Sequence, residues 1–227
     1  HLITALGDEQ PPAKAPPDYV KQTFDDYAET FDQSLVEDLD YRTPQLIARS
    51  LEKYLPAAEA QLDIADLGCG TGLMGQAIEP WVNSICGVDL SNQMMSKALL
   101  TGLYNEIHVA EINDWLTADN RQFDLVLAAD VFVYFGDLRD VFALVKPRLA
   151  NGALFAFSVE SSDNPGYDLT VTGRYAHHKD YINSMLAQSG LKILCMEAAS
   201  LRLEYGKPVS GLIVVVENSS SARLPGL

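Results

Sequence analysis

Asp66-Leu-Gly68-Cys-Gly70-Thr-Gly72 closes the short apolar run Leu62-Asp-Ile-Ala-Asp-Leu67. Alternating glycines straight after a strand allow a tight turn and let the backbone lie close to a ligand. One element later, Ser84-Ile-Cys-Gly-Val-Asp-Leu90 reads as a second strand, and it ends on an acid, Asp89, nineteen residues after Gly70. Gly70-x-Gly72-x-x-Gly75 satisfies the dinucleotide fingerprint, with Asp89 where its ribose-binding acid belongs, so an NAD-dependent oxidoreductase is one reading. Two features point elsewhere. The glycine series already begins at Gly68, and Asp66 places a carboxylate at the strand end, where it suits a positive ligand group and would repel a pyrophosphate.

Outward from this loop, strand and helix patterns alternate. Helices are expected over 73–82, 92–100 (capped by Ser91), 137–150 and 178–189, the last ending at Gly190. Strands are expected over 106–110, 123–129, 153–159, 191–197 and 211–217. Phe123-Asp-Leu-Val-Leu-Ala-Ala129 is nearly all apolar, as a strand buried on both faces must be. The fold class is therefore α/β: a doubly wound, Rossmann-like, mostly parallel sheet with a C-terminal antiparallel hairpin. Ligands of such sheets sit beyond the carboxyl ends of the strands. Residues 18–57 read as two helices forming an N-terminal cap, with Tyr19, Val20, Phe24, Tyr27, Phe31, Leu35 and Leu39 on one stripe and a second helix after Thr43-Pro44. Residues 1–17, with four prolines in the last seven, read as a linker or the remnant of an upstream region. Residues 58–218 form the core and 219–227 a tail.

Composition narrows the function. The 227 residues are 48% hydrophobic and 21% charged, which excludes wholesale disorder, and their length suits one domain. A net charge of −15 makes nucleic acid a poor partner. Apolar runs fall well short of the roughly 20 residues of a membrane span. No secretory leader is visible, and Cys69, Cys86 and Cys195 suggest neither a disulfide framework nor a zinc site, so a cytoplasmic location and no metal are expected.

Asp66-Leu-Gly-Cys-Gly-Thr-Gly72 followed by Gly87-Val-Asp89-Leu-Ser resembles the first two motifs of class I S-adenosylmethionine-dependent methyltransferases. Phe123–Asp130 resembles their fourth-strand motif, and Leu149-Ala-Asn-Gly152 the approach to their fifth strand. Tyr19–Pro44, Tyr134-Phe-Gly-Asp-Leu138 and Gly173-Arg-Tyr-Ala-His177 resemble the methyltransferase domain found behind tetratricopeptide repeats in some bacterial proteins, which implies such a region upstream.

The resemblance implies S-adenosylmethionine as donor, S-adenosylhomocysteine as product, and a small-molecule or peptidic acceptor. Gly68, Gly70 and Gly72 would lie against the methionyl end and Asp66 would face its ammonium. Asp89 would accept both ribose hydroxyls, one on each carboxylate oxygen. Leu90 and Met94 would pack on the adenine, with Glu111 and Ile112 at its edge, Ala128 to Asp130 along the methionyl side, and Tyr27 and Phe31 above the cofactor. On the acceptor side, Phe132, Tyr134 and Tyr175 would form a pocket and Arg174 would hold an anionic group. His177, or His178, would be the general base. The rival to an enzyme is a catalytically silent module that binds the cofactor and acts through protein contacts.

Overall fold

The computed structural model describes residues 11–27, 41–55 and 61–219, and of Tyr27 only the backbone. Five parallel strands make the sheet's main body: β1 (Leu62–Leu67), β2 (Val82–Asp89), β3 (Glu106–Val109), β4 (Phe123–Ala128) and β5 (Leu149–Ser161), in the order β3-β2-β1-β4-β5. Two short strands follow, β6 (Tyr167–Leu169) and β7 (Tyr175–His177), and then the long hairpin of β8 (Lys192–Glu204) and β9 (Lys207–Glu217). Strand β9 runs antiparallel to β5 and carries β8 on its outer side, while β7 joins β5 only at Glu160–Ser161. The chain therefore ends in the antiparallel hairpin expected from its sequence.

Alternation along the inner strands explains the two-faced core. Leu125 and Leu127 of β4 join Leu154 and Ala156 of β5 on one face; Val126 and Ala128 join Phe155 and Phe157 on the other. The first face is covered by α2 (Thr43–Leu51), α3 (Leu73–Ala77) and α4 (Asn92–Leu100). The second is covered by α5 (Ile112–Ala118), α6 (Arg139–Val145) and α7 (Lys179–Gln188). On that second face Phe132, Phe142, Phe155 and Phe157 pack mostly edge to face, with ring centroids 4.8–6.2 Å apart. Such pairs add about 0.5–1.5 kcal/mol each beyond area burial.

Several bounds differ from the sequence reading. The helix expected over 73–82 stops at Ala77, and a 3₁₀ turn carrying Pro80 takes its place at Glu79–Trp81. The helix expected over 137–150 is α6 plus a 3₁₀ turn containing Pro147, whose missing N–H cannot continue an α-helix. Helix α5 was not anticipated; Glu111 starts it by accepting from the backbone N–H groups of Asn113 and Asp114. Strands β6 and β7 add to those expected from the sequence. Of the cap, α1 (Pro17–Tyr27) and α2 are seen; Phe31, Leu35 and Leu39 lie outside the described residues. The segment before α1 is strapped to the loop after β4. Ala15 N–H donates to the Tyr134 carbonyl at 2.9 Å, and Gly136 and Asp137 donate to that of Ala13 at 2.9 and 2.8 Å.

Candidate functional site

An open cleft of about 1170 Å³, solvent at its mouth included, lies beyond the carboxyl ends of β1, β2, β3 and β4 and beneath α1. Its floor is the glycine loop. Gly68, Gly70 and Gly72 have φ of +68°, +52° and +92°, a region that glycine adopts freely and that residues with a Cβ adopt only at a steric cost. At Gly68 an added Cβ would stand 2.5 Å from Val131 Cγ2, whereas at Gly70 it would meet nothing within 4 Å. The loop is thus pinned on one side and open toward the cleft. Gly68 and Cys69 N–H groups donate to the Val88 carbonyl at 2.7 and 3.1 Å, which joins the loop to β2.

Asp89 terminates β2 at the cleft wall. Its Oδ2 accepts from Gly70 N–H and its Oδ1 from Ser91 N–H, both at 2.9 Å. Burial pushes this carboxyl up and the backbone donors of Ser91, Gly70 and Leu90 push it back. Each oxygen keeps a lone pair for a further donor. Ser91 caps α4 through Met94 N–H at 3.2 Å and donates to Asp25 Oδ1 at 2.6 Å, tying α1 to the same corner.

The expected site residues divide into two groups. Gly68, Gly70, Asp89, Leu90, Glu111, Ile112, Tyr134 and Arg174 line the cleft, as do Ala129 and Asp130 just after Ala128. Glu111 is already engaged: Lys14 Nζ donates to its Oε1 at 2.5 Å and its Oε2 caps α5. The others lie elsewhere. Gly72 is the left-handed residue that starts α3, Met94 is fully buried in the first turn of α4, Ala128 is buried in β4, and Phe132 belongs to the phenylalanine cluster. The side chain of Tyr27 is outside the described residues.

Asp66 is 1% exposed and turns toward Tyr104, whose OH donates to its Oδ2 at 2.6 Å, so it does not face the cleft. Tyr104 was not singled out from the sequence, yet it shapes the loop: an added Cβ at Gly72, Gly75 or Gly87 would come within 2.8–3.0 Å of its ring or hydroxyl. Burial raises the Asp66 carboxyl to about 7, against the opposing bond from Tyr104. An unfolded Asp ionises near 3.9. Between these values the folded chain keeps a proton the unfolded chain gives up, so this group lowers stability as pH rises, by at most about 4 kcal/mol in full above pH 7. Asp66→Asn, which still accepts from Tyr104, should raise the melting temperature at pH 8 and flatten its fall between pH 4 and 7. An unchanged slope would contradict the assignment.

The structure also corrects the acceptor side. Tyr175 and His177 sit in β7, both fully buried and off the cleft wall. Tyr175 OH donates to the Pro12 carbonyl at 2.7 Å. His177 Nε2 donates to the Gly136 carbonyl at 3.1 Å, and its ring stacks on Tyr181 at 5.8 Å. Burial pulls its pKa down to about 4. His177 is a neutral core group that ties β7 to the loop after β4, and it has no route to a reacting proton. His178 caps α7 by accepting from Asp180 N–H at 3.1 Å. Accordingly, His177→Ala should lower the melting temperature while leaving donor affinity intact and turnover within tenfold. A turnover loss of 10²-fold or more in the folded variant would restore it as a base.

Two clusters were not foreseen. At the cleft's acceptor end, Arg202 of β8 is 4% exposed, donates to Asp130 Oδ2 at 3.1 Å, and is paired with Glu160. Glu204 is 3.5 Å from Arg202 and accepts from Arg174 at 2.9 Å. A β-bulge makes this arrangement: Ser200 pairs with Ser210 but Arg202 with Val209, so Leu201 and Arg202 both turn inward. Away from the cleft, Cys86, Glu106 and His108 bring ligand-type atoms within 4.8 Å of one another, against the expectation of no metal-type cluster. Arg121 supplies a cation there, 2.6 Å from Glu106 and 3.6 Å from Cys86.

Residues 65–155, which hold the glycine loop, Asp89 and β4, match the family model described as a methyltransferase domain. Methyltransferase-like protein 27 of Homo sapiens is 33% identical over 106 residues, 46% of this chain and 43% of that protein. The chain spans about half the length of the curated relatives it matches. Among solved structures, the 1,6-didemethyltoxoflavin-N1-methyltransferase of Burkholderia thailandensis, bound to S-adenosylhomocysteine, superposes with a TM-score of 0.68 at 16% identity, over 93% of this chain and 94% of that one. The [4+2]-cyclase SpnF reaches 0.72 at 15% identity, over 92% and 98%. The chain shares the Rossmann-like, mostly parallel α/β fold of these solved structures.

Proposed function

We propose that this chain binds S-adenosylmethionine in the cleft and transfers its methyl group to a small-molecule nucleophile. The observation that carries the reading is Asp89: a half-buried carboxylate at the end of β2, oriented by Gly70 and Ser91, beside a loop that is open only above Gly70. Asp89 accepts the two ribose hydroxyls, and the Gly68–Thr71 backbone lies along the methionyl end. Leu90 and Ile112 pack against the adenine, and Ala129 and Asp130 border the reacting end. Lys14, Val20 and Phe24 cover the cleft, which excludes water and holds the acceptor in line. The 1,6-didemethyltoxoflavin-N1-methyltransferase among the solved structures supports a small-molecule acceptor.

The methyltransferase domain match and the N-methyltransferase among the structural neighbours support this reading; a module that binds the cofactor without methyl transfer is the second one, since a cyclase shares the fold. The two separate on one assay. Formation of S-adenosylhomocysteine from S-adenosylmethionine, dependent on a small-molecule extract and saturable, is the expected result. Tight donor binding with no product in any fraction would favour the silent module. Among the described residues no helix is long and apolar enough to cross a membrane. A cytoplasmic location and an upstream tetratricopeptide repeat region belong to the same proposal; the sequence of the full-length gene product tests the latter.

A further inference from the structure

We infer that Cys86, Glu106 and His108 bind a divalent transition-metal ion such as zinc, at the edge of the sheet and apart from the cleft. Strands β2 and β3 pair in parallel, with Cys86 opposite Glu106 and Val88 opposite His108, so the two-residue period puts all three side chains on one face. A thiol sulfur, a carboxylate oxygen and an imidazole nitrogen thus lie within 4.8 Å of one another. His108 Nε2 is already 2.6 Å from Glu106 Oε1. Tetrahedral zinc, with bonds of about 2.0–2.3 Å, keeps its ligand atoms about 3.5 Å apart, so shifts of about 1 Å in these side chains would complete a three-ligand site. The fourth position would go to water.

The surroundings suit the ion. Strand β3 is the sheet's outermost, and Glu106 and His108 are partly exposed there, which leaves a way in from solvent. Cys86 is buried among Trp115 and Phe123, and the His108 ring lies 5.8 Å from that of Trp115, so the opposite side is closed. Two carboxylates, Glu106 and Asp119, share one guanidinium, that of Arg121, which leaves an excess of one negative charge. Arg121 does not block the site. Its Nε and Nη2 bond to Asp119 and its guanidinium lies 5.5 Å over the Phe123 ring; only Nη1 reaches Glu106, at 2.6 Å. As the metal–sulfur bond forms, the Cys86 thiol proton leaves to water and Nη1 gives up Glu106. The dication, thiolate, two carboxylates and guanidinium then sum to zero charge. One thiolate with one imidazole selects zinc or cobalt over magnesium and calcium, which prefer oxygen ligands. The bound ion would clamp the four-residue edge strand β3 to β2.

The test titrates the whole chain, stripped of metal with a chelator, with zinc chloride and with cobalt chloride. One zinc should bind per chain, magnesium and calcium should not displace it, and cobalt should give the intense near-ultraviolet charge-transfer band of a cobalt–thiolate bond. Zinc at about 100 times its dissociation constant should raise the melting temperature by about 5–10 °C. Cys86→Ser should abolish the cobalt band. His108→Ala removes a partly exposed side chain and leaves the core intact; it should weaken zinc by about 10²-fold, at least as much as losing an outer-shell partner does. Absence of zinc binding at one per chain, a cobalt band that survives Cys86→Ser, or zinc affinity unchanged in His108→Ala would each overturn the inference.

Discussion

Replacing Asp89 by alanine should weaken S-adenosylmethionine binding by about 10²–10⁴-fold. Two ribose hydroxyls would donate to one half-buried carboxylate, and hydrogen bonds to a charged group contribute about 1.5–3 kcal/mol each. Their sum, about 3–6 kcal/mol, converts to that range at about 1.4 kcal/mol per tenfold. The same carboxylate also holds Gly70 N–H and Ser91 N–H at 2.9 Å, so some of the loss comes through a loosened loop. Asp89→Asn separates the two contributions. It keeps an acceptor for one hydroxyl and loses the charge, and its affinity should fall between the wild type and the alanine variant. Isothermal titration with donor and with S-adenosylhomocysteine measures both. Unchanged affinity in the alanine variant would remove Asp89 from the site.

Arg202→Met should destabilise the fold by about 3–5 kcal/mol, the usual cost of leaving buried charges without their partner. For a chain of this size about 2–4 °C accompanies each kcal/mol, so the melting temperature should drop by about 6–20 °C. The reason is local. Arg202 is 4% exposed and bonds Asp130 and Glu160, both largely enclosed, while burial already pushes the Glu160 carboxyl up. Glu160→Gln in the same background relieves one of the two orphaned acids and should recover part of the loss. A melting temperature within 2 °C of the wild type would show the network to be solvated. Lys53→Met, which removes an exposed pair with Glu197, is the contrasting variant and should change little.

What could be read from the sequence was what is local along the chain. The glycine loop, Asp89 and the Ser91 cap each declare themselves within a few residues, and β4 and β5 are apolar runs long enough to place a two-faced sheet. What could not be read depends on partners distant in sequence. Asp66 turns from the cleft because Tyr104, 38 residues on, offers a hydroxyl beneath the loop. The family resemblance implies Met94 as an adenine contact, but the register of α4 points Met94, Met95 and Ala98 inward together. Gly173-Arg-Tyr-Ala-His177 read as a polar loop because a three-residue strand has too little alternation to register. Tyr175 and His177 become core only when Gly136 and Tyr181 close over them. Arg202 was hidden by a bulge, which breaks the two-residue period that would have placed it opposite Leu201. The last two of these misses fall on the acceptor end, where β5, β7, β8 and the loop after β4 converge.

The central claim is that the cleft is built for S-adenosylmethionine, and calorimetric titration of the unaltered chain with S-adenosylmethionine, S-adenosylhomocysteine and NAD tests it most directly. Saturable one-to-one binding of the first two, with no heat from NAD, is the predicted result. Binding of NAD, or of none of the three, would contradict it.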